Sequence, residues 1–133
     1  MAIFSEKVAM ELFGDLWARM IREGDFGKQL KERGITILFV VNDPDVVMFV
    51  DENGPLFGAE AQKKTPLVTM KMSGDSVHKF WLKDLNIPKA LALRQVVAKG
   101  PVNKVLQVLP LLKPGQEMYP DYCKKFNLPM KSK

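Results

Sequence analysis

The sequence predicts an α+β domain in which a five-stranded sheet is backed by helices, and three observations carry that prediction. An N-terminal stretch, Ser5 to Ile21, repeats apolar residues with the helical period. Three short apolar runs between Ile35 and Glu60 are separated by tight turn chemistry, as in an antiparallel meander. Ser73 to Leu112 then reads as helix, turn, apolar strand and helix. With 133 residues the chain has room for one core, so residues 1–133 are expected to form a single domain.

Ser5 is the expected N-cap of the first helix and Gly24 its stop. At 100° per residue, the apolar residues from Val8 to Ile21 fill an arc of about 220°, with Glu11, Asp15 and Arg22 opposite. A helix lying on a surface needs only about half that width. Extra core packing, a partner chain or a ligand would each account for the surplus. Asp25 to Arg33 follows as a short helix with Gly34 as its C-cap. Ile35 to Val41, Val46 to Val50 and Leu56 to Glu60 read as strands, with turns at Asn42-Asp43-Pro44-Asp45 and at Asp51 to Pro55. A polar link, Ala61 to Thr65, leads to a fourth strand, Leu67 to Met72. Ser73 caps a helix carrying Val77, Phe80, Trp81 and Leu85, and Asn86-Ile87-Pro88 is expected to break it. Leu91 to Ala98 reads as a fifth strand closed by Gly100, and Pro101 opens a last helix that Pro110 kinks or ends. From about residue 113 the prolines and lysines predict an irregular tail, with one turn of helix at Asp121 to Phe126.

The functional classes that remain are few. A hydrophobic fraction of 47% against 26% charged residues is that of a globular domain, and no apolar run approaches the roughly 18 residues of a membrane span. Glu6, Lys7 and Glu11 interrupt any leader pattern, so a cytoplasmic location is expected. The net charge of +5 favours anionic partners, yet the basic residues are spread out except near Lys124, Lys125, Lys131 and Lys133. His78 is the single histidine and Cys123 the single cysteine, so neither a triad nor a zinc site is in view and no internal disulfide forms. Both read as structural residues. The carboxylates Asp43, Asp45, Asp51 and Glu52 fall in turns without calcium-loop spacing, and Gly54, Gly58 and Gly74 make no phosphate loop. Phe39, Phe49 and Phe57 lie among Ile, Val and Met rather than interleaved basic residues, so nucleic acid is not an expected partner.

What the chain supplies in quantity is apolar surface: eight Met, eight Phe and two Trp. Strand alternation places Ile37, Phe39 and Val41 on one face, Val68, Met70 and Met72 on another, and Leu91, Leu93 and Val97 on a third. These faces and the helices would enclose either a filled core or an apolar pocket. The candidate ligand-contacting residues are Phe13, Leu16, Trp17 and Met20 of the first helix; Phe39, Met48 and Met70 of the strands; Phe80 and Trp81; Leu91, Leu93 and Val97; and Leu106 and Leu109 of the last helix. No catalytic residue, metal ligand or cofactor is expected.

The second half carries a family resemblance. Leu67-Val-Thr-Met-Lys-Met-Ser-Gly74, Phe80-Trp-Leu, Leu85-Asn-Ile-Pro-Lys-Ala90, Val96-Val-Ala-Lys-Gly100 and Lys104-Val-Leu-Gln-Val-Leu109 together resemble the sterol carrier protein 2 (SCP-2) family of lipid-binding domains. The match spans roughly Thr65 to Leu112; before Glu60 only the order of elements agrees. The resemblance implies an SCP-2-like five-stranded mixed sheet covered on one side by helices, in the order α-β-β-β-crossover β-α-β-α. It also implies an apolar tunnel for fatty acid, acyl-CoA or sterol-like lipid. Family members often carry a glycine within the fifth strand, where this chain has Arg94-Gln95. Peroxisomal members end in Ser-Lys-Leu, whereas this chain ends Lys131-Ser132-Lys133, so that address is not implied.

The function expected on these grounds is non-catalytic binding and transfer of an apolar ligand, with transient contact at a membrane surface. The alternative is an interaction module: a homodimer formed through the Phe13/Trp17 face, or an accessory domain for a partner enzyme.

Overall fold

The structure is a computed structural model that describes residues 4–23 and 25–128. Gly24, and Lys131 and Lys133 of the basic cluster, lie outside the described residues.

The first helix, α1, spans Glu6–Glu23, and its cap is the expected one: Ser5 Oγ accepts a hydrogen bond from the Val8 N–H at 3.1 Å. It buries Ala9, Leu12, Phe13, Leu16, Trp17 and Met20, whereas Met10 at the far side of the predicted arc is exposed. Helix α2, Phe26–Arg33, ends at Gly34, whose left-handed backbone lets the Ile35 N–H return to the Leu30 carbonyl at 2.9 Å.

Strands β1 (Ile37–Asn42), β2 (Val46–Asp51) and β3 (Gly54–Phe57) form the predicted meander. The third strand begins two residues earlier than expected, because Asp51 Oδ1 accepts from the Asn53 N–H at 2.9 Å and closes the turn at once. The residues that were to end that strand and form a polar link instead make a one-turn helix, α3, Ala59–Gln62. Strand β4, Val68–Ser73, pairs parallel to β1, which gives the sheet order β3-β2-β1-β4-β5 and makes it mixed. The connection from β3 to β4 therefore crosses from the edge strand past two others.

Ser73 ends β4 and caps α4, Gly74–Trp81, accepting from the Ser76 N–H at 3.1 Å. The next segment corrects the sequence reading. Asn86-Ile87-Pro88 does break α4, but it also starts a new helix, α5, Ile87–Ala92. Asn86 Oδ1 accepts from the Lys89 N–H, and Pro88 sits in the first turn, where its missing N–H costs nothing. Arg94, at φ 61°, closes α5, with the Gln95 N–H returning to the Ala90 carbonyl at 2.9 Å. Strand β5 is thus only Val96–Lys99, not Leu91 to Ala98. Its register places Val96 opposite Met72 and Ala98 opposite Met70, so Val97 points the other way, opposite Lys71. Leu91, Leu93 and Val97 do not share a face: Leu91 is half-buried on α5, and Leu93, at 58%, is exposed beyond it.

Helix α6, Val102–Val108, gives way at Pro110 to a 3-10 turn, Leu109–Leu112. The side chains of Val102, Val105 and Val108 lie outside the described set. The expected irregular tail from 113 is a further correction. Lys113–Phe126 is a helix of 14 residues, α7, that tolerates Pro114 in its first turn and carries Pro120 on an exposed side. It buries Gly115, Tyr119, Tyr122 and Cys123, a spacing of four, three and one that marks one helix face.

The core lies between one face of the sheet and the helices. Across that face the pairings line up a row of apolar side chains, Phe57, Met48, Phe39, Met70 and Ala98, one from each strand. Fully burying one of the larger of these stabilises the fold by about 1.5–3 kcal/mol. Helix α1 contacts β2, β3, α2 and α7, so several elements together absorb its broad apolar face. No helix among the described residues is long and apolar enough to cross a membrane.

Candidate functional site

The sheet face and the helices do not close completely. Between them lies an apolar cavity with walls from α1 (Ala9, Phe13, Trp17), β1 (Ile37, Phe39, Val41), β2 (Val46, Met48), β4 (Val68, Met70, Met72), α4 (Val77, Phe80, Trp81), Ile87, Leu109 and Leu112, together with Phe4 and Ile35. Strand alternation and helical spacing deliver these residues to one space, because each set is the inward set of its element. The void between their side chains is about 50 Å³, within an envelope of about 790 Å³ that includes solvent at the mouth. A liquid water occupies about 30 Å³ and a small-molecule site about 300–1,000 Å³. A lipid chain therefore enters only if the lining moves. Met48, Met70 and Met72 are suited to that, since an unbranched thioether repacks at little cost.

Eight of the candidates read from the sequence line this cavity: Phe13, Trp17, Phe39, Met48, Met70, Phe80, Trp81 and Leu109. Leu16 and Met20 are buried but face elsewhere in the core. Leu91, Leu93 and Val97 stand outside it for the reasons of register and capping given above. Leu106 is exposed and lines a second, outer groove. The proposed dimer face is corrected as well: Phe13 and Trp17 are buried inside their own chain. Ile37, Val41, Val68 and Met72 were on the faces picked out by alternation, and the pairing of β1 with β4 brings them together. Ala9 and Val77 were on apolar helix faces read from the sequence, whereas Phe4, Ile35, Val46 and Ile87 carried no such signal.

The outer groove runs between α5 and the Leu106 to Lys113 segment and has a volume of about 500 Å³. Phe80, Ile87 and Leu109 belong to both spaces, so these three side chains form the partition between groove and cavity. The groove differs in chemistry: Asn86, Gln116 and the exposed Lys113 join Leu85, Pro88, Leu106 and Pro110 along it. Among the described residues, none that lines the cavity is ionisable.

Helix α7 packs against α1, α4 and the Leu109–Leu112 turn. Tyr119 Oη lies 2.7 Å from His78 Nδ1, and both side chains are buried. Gln116 Nε2 donates to the Phe80 carbonyl at 2.9 Å, and Lys83 pairs with Glu117 at 2.5 Å. The Tyr122 hydroxyl donates to Asp15 on α1. Gly115 permits the close approach: a Cβ there would stand 2.6 Å from Met20 Sδ and from Trp81 Cζ3. Burial pushes the Tyr119 phenol well above its ordinary range and the Cys123 thiol up to about 11. A thiol held protonated in this way is a poor nucleophile. Among the described residues there is no group of three or more His, Cys, Asp or Glu positioned to hold a metal ion.

The architecture is similar to that of solved sterol carrier protein 2 domains. Sterol carrier protein 2 from Yarrowia lipolytica in its apo form superposes with a TM-score of 0.64 and 14% identity, over 84% of this chain and 91% of that one. The sterol carrier protein domain 2 of Helicoverpa armigera superposes with a TM-score of 0.60 and 14% identity, over 82% of this chain and 86% of that one. No protein-family model and no curated protein sequence matches the chain. At these identities the likeness establishes the fold.

Proposed function

We propose that this chain, which has the sterol carrier protein 2 fold, is a non-catalytic lipid-binding and transfer domain. One observation carries the reading: a cavity whose lining among the described residues is apolar throughout, which shares Phe80, Ile87 and Leu109 with a groove that holds a lysine. An acyl chain or sterol-like body takes the cavity. Its transfer from water is favoured by roughly 25 cal/mol per Å² of apolar surface buried. The head group stays in the groove, where Lys113 meets a carboxylate or phosphate and Asn86 and Gln116 offer amide groups. The buried pair His78 and Tyr119 is engaged in holding α7 to α4, in keeping with a carrier rather than an enzyme.

Titration with a fluorescent long-chain fatty acid tests this. Saturable one-to-one binding, reversed by unlabelled stearate, is the expected result. An absence of saturable binding across fatty acids, acyl-CoA and sterols would remove the proposal.

A further inference from the structure

We propose that the preferred ligand carries a hydrogen-bond-accepting oxygen within its apolar body, in addition to any head group, and that Trp17 Nε1 donates to it. This rests on the lipid-binding reading above. Trp17 is 1% exposed and lines the cavity, and its Nε1 is the buried side-chain nitrogen or oxygen that finds no hydrogen-bond partner among the described residues. A buried indole N–H normally has one, because leaving it unpaired forfeits the bond it made with water.

The surroundings do not supply an acceptor. The rings of Phe26, Phe39 and Trp81 stand 5.4, 5.6 and 5.5 Å from Trp17, centroid to centroid. Trp81 meets it edge to face at 79°, and an aromatic face is a weak acceptor. A water would be poorly held, since a buried water takes about three polar partners and this cavity is walled by apolar side chains. A carbonyl or hydroxyl on a lipid that is already bound by its apolar surface meets no such difficulty. Trp17 does not line the outer groove, so this oxygen is distinct from a head group near Lys113. The ligand class is therefore a fatty acid that carries a keto or hydroxy group along its chain, ahead of a plain saturated chain.

The test uses the full chain, stearate, and a series of ketostearates with the oxygen at successive positions. We expect one or more isomers to bind about fivefold or more tightly than stearate, and Trp17→Phe to abolish that preference, read as the ratio of the ketostearate and stearate affinities within each protein. In unsubstituted protein that isomer should move the Trp17 indole proton resonance downfield where stearate does not, a readout independent of how the variant folds. Equal affinities across the series with an unmoved indole resonance, or a preference that survives Trp17→Phe, would overturn the inference while leaving lipid binding in place. Binding of neither stearate nor any ketostearate would overturn both.

Discussion

Tyr119 on α7 and His78 on α4 face each other at 2.7 Å, hydroxyl oxygen to Nδ1, in a part of the core sealed from solvent. Their bond ties a helix the sequence did not announce to the helix that walls the cavity. Replacing Tyr119 by Phe removes one hydrogen-bond partner from the buried imidazole and should lower stability by about 1–2 kcal/mol. Thermal unfolding would register this as a fall of about 3–8 °C in Tm.

The same helix depends on Gly115. Gly115→Val forces a branched side chain into the space held by the Trp81 ring and the Met20 thioether. The Met20 tip can swing, but the ring edge is fixed by packing on Trp17 and Tyr119. Overpacking of this kind costs about 1–3 kcal/mol, measured by denaturant titration, and should weaken lipid binding because Trp81 is displaced into the cavity.

Stability should also depend on pH at the alkaline end. The Cys123 thiol is raised from 9.0 to about 11 by burial. A group whose folded pKa is raised leaves stability intact below its unfolded value and removes it as pH rises toward the folded one. Denaturation midpoints are thus expected to be level from pH 7 to about 8.5 and to fall between about pH 9 and 11. Cys123→Ala should flatten part of that fall. Cys123 is buried and its thiol is held protonated, so a thiol reagent should react with it only after unfolding.

Lys113 offers a direct test of where the head group lies. Lys113→Glu reverses the charge at the groove and should weaken binding of a long-chain fatty acid by about tenfold at low salt, while a neutral alcohol of the same length is unaffected. Competition titrations with the two ligands read the difference.

How much of this was legible in the sequence divides along physical lines. The inner face of the sheet was visible because alternation in Ile37, Phe39, Val41 and Val68, Met70, Met72 is a local property of each strand, and pairing of β1 with β4 merely joined them. Helix α1 and both serine caps were visible for the same reason. Asn86 and Pro88 were read as a break before a strand, but they are equally the start signals of a helix, and the left-handed turn at Arg94 that ends it has no glycine to announce it. Helix α7 was obscured by Pro114, Gly115 and Pro120, although the inward spacing of Gly115, Tyr119, Tyr122 and Cys123 was present throughout. The partition of Phe80, Ile87 and Leu109 joins side chains from three separate segments, and only tertiary packing reveals it.

The central claim is that a lipid occupies the space between the sheet and the helices. Methionine methyl groups report on it without any substitution: Met48, Met70 and Met72 line that space, while Met10 is exposed on the outer side of α1. With methyl-labelled methionine, titration by a long-chain fatty acid should shift the resonances of Met48, Met70 and Met72 to saturation and leave Met10 in place. Shifts confined to Met10, or no shift at Met48, Met70 and Met72 at saturating lipid, would contradict it.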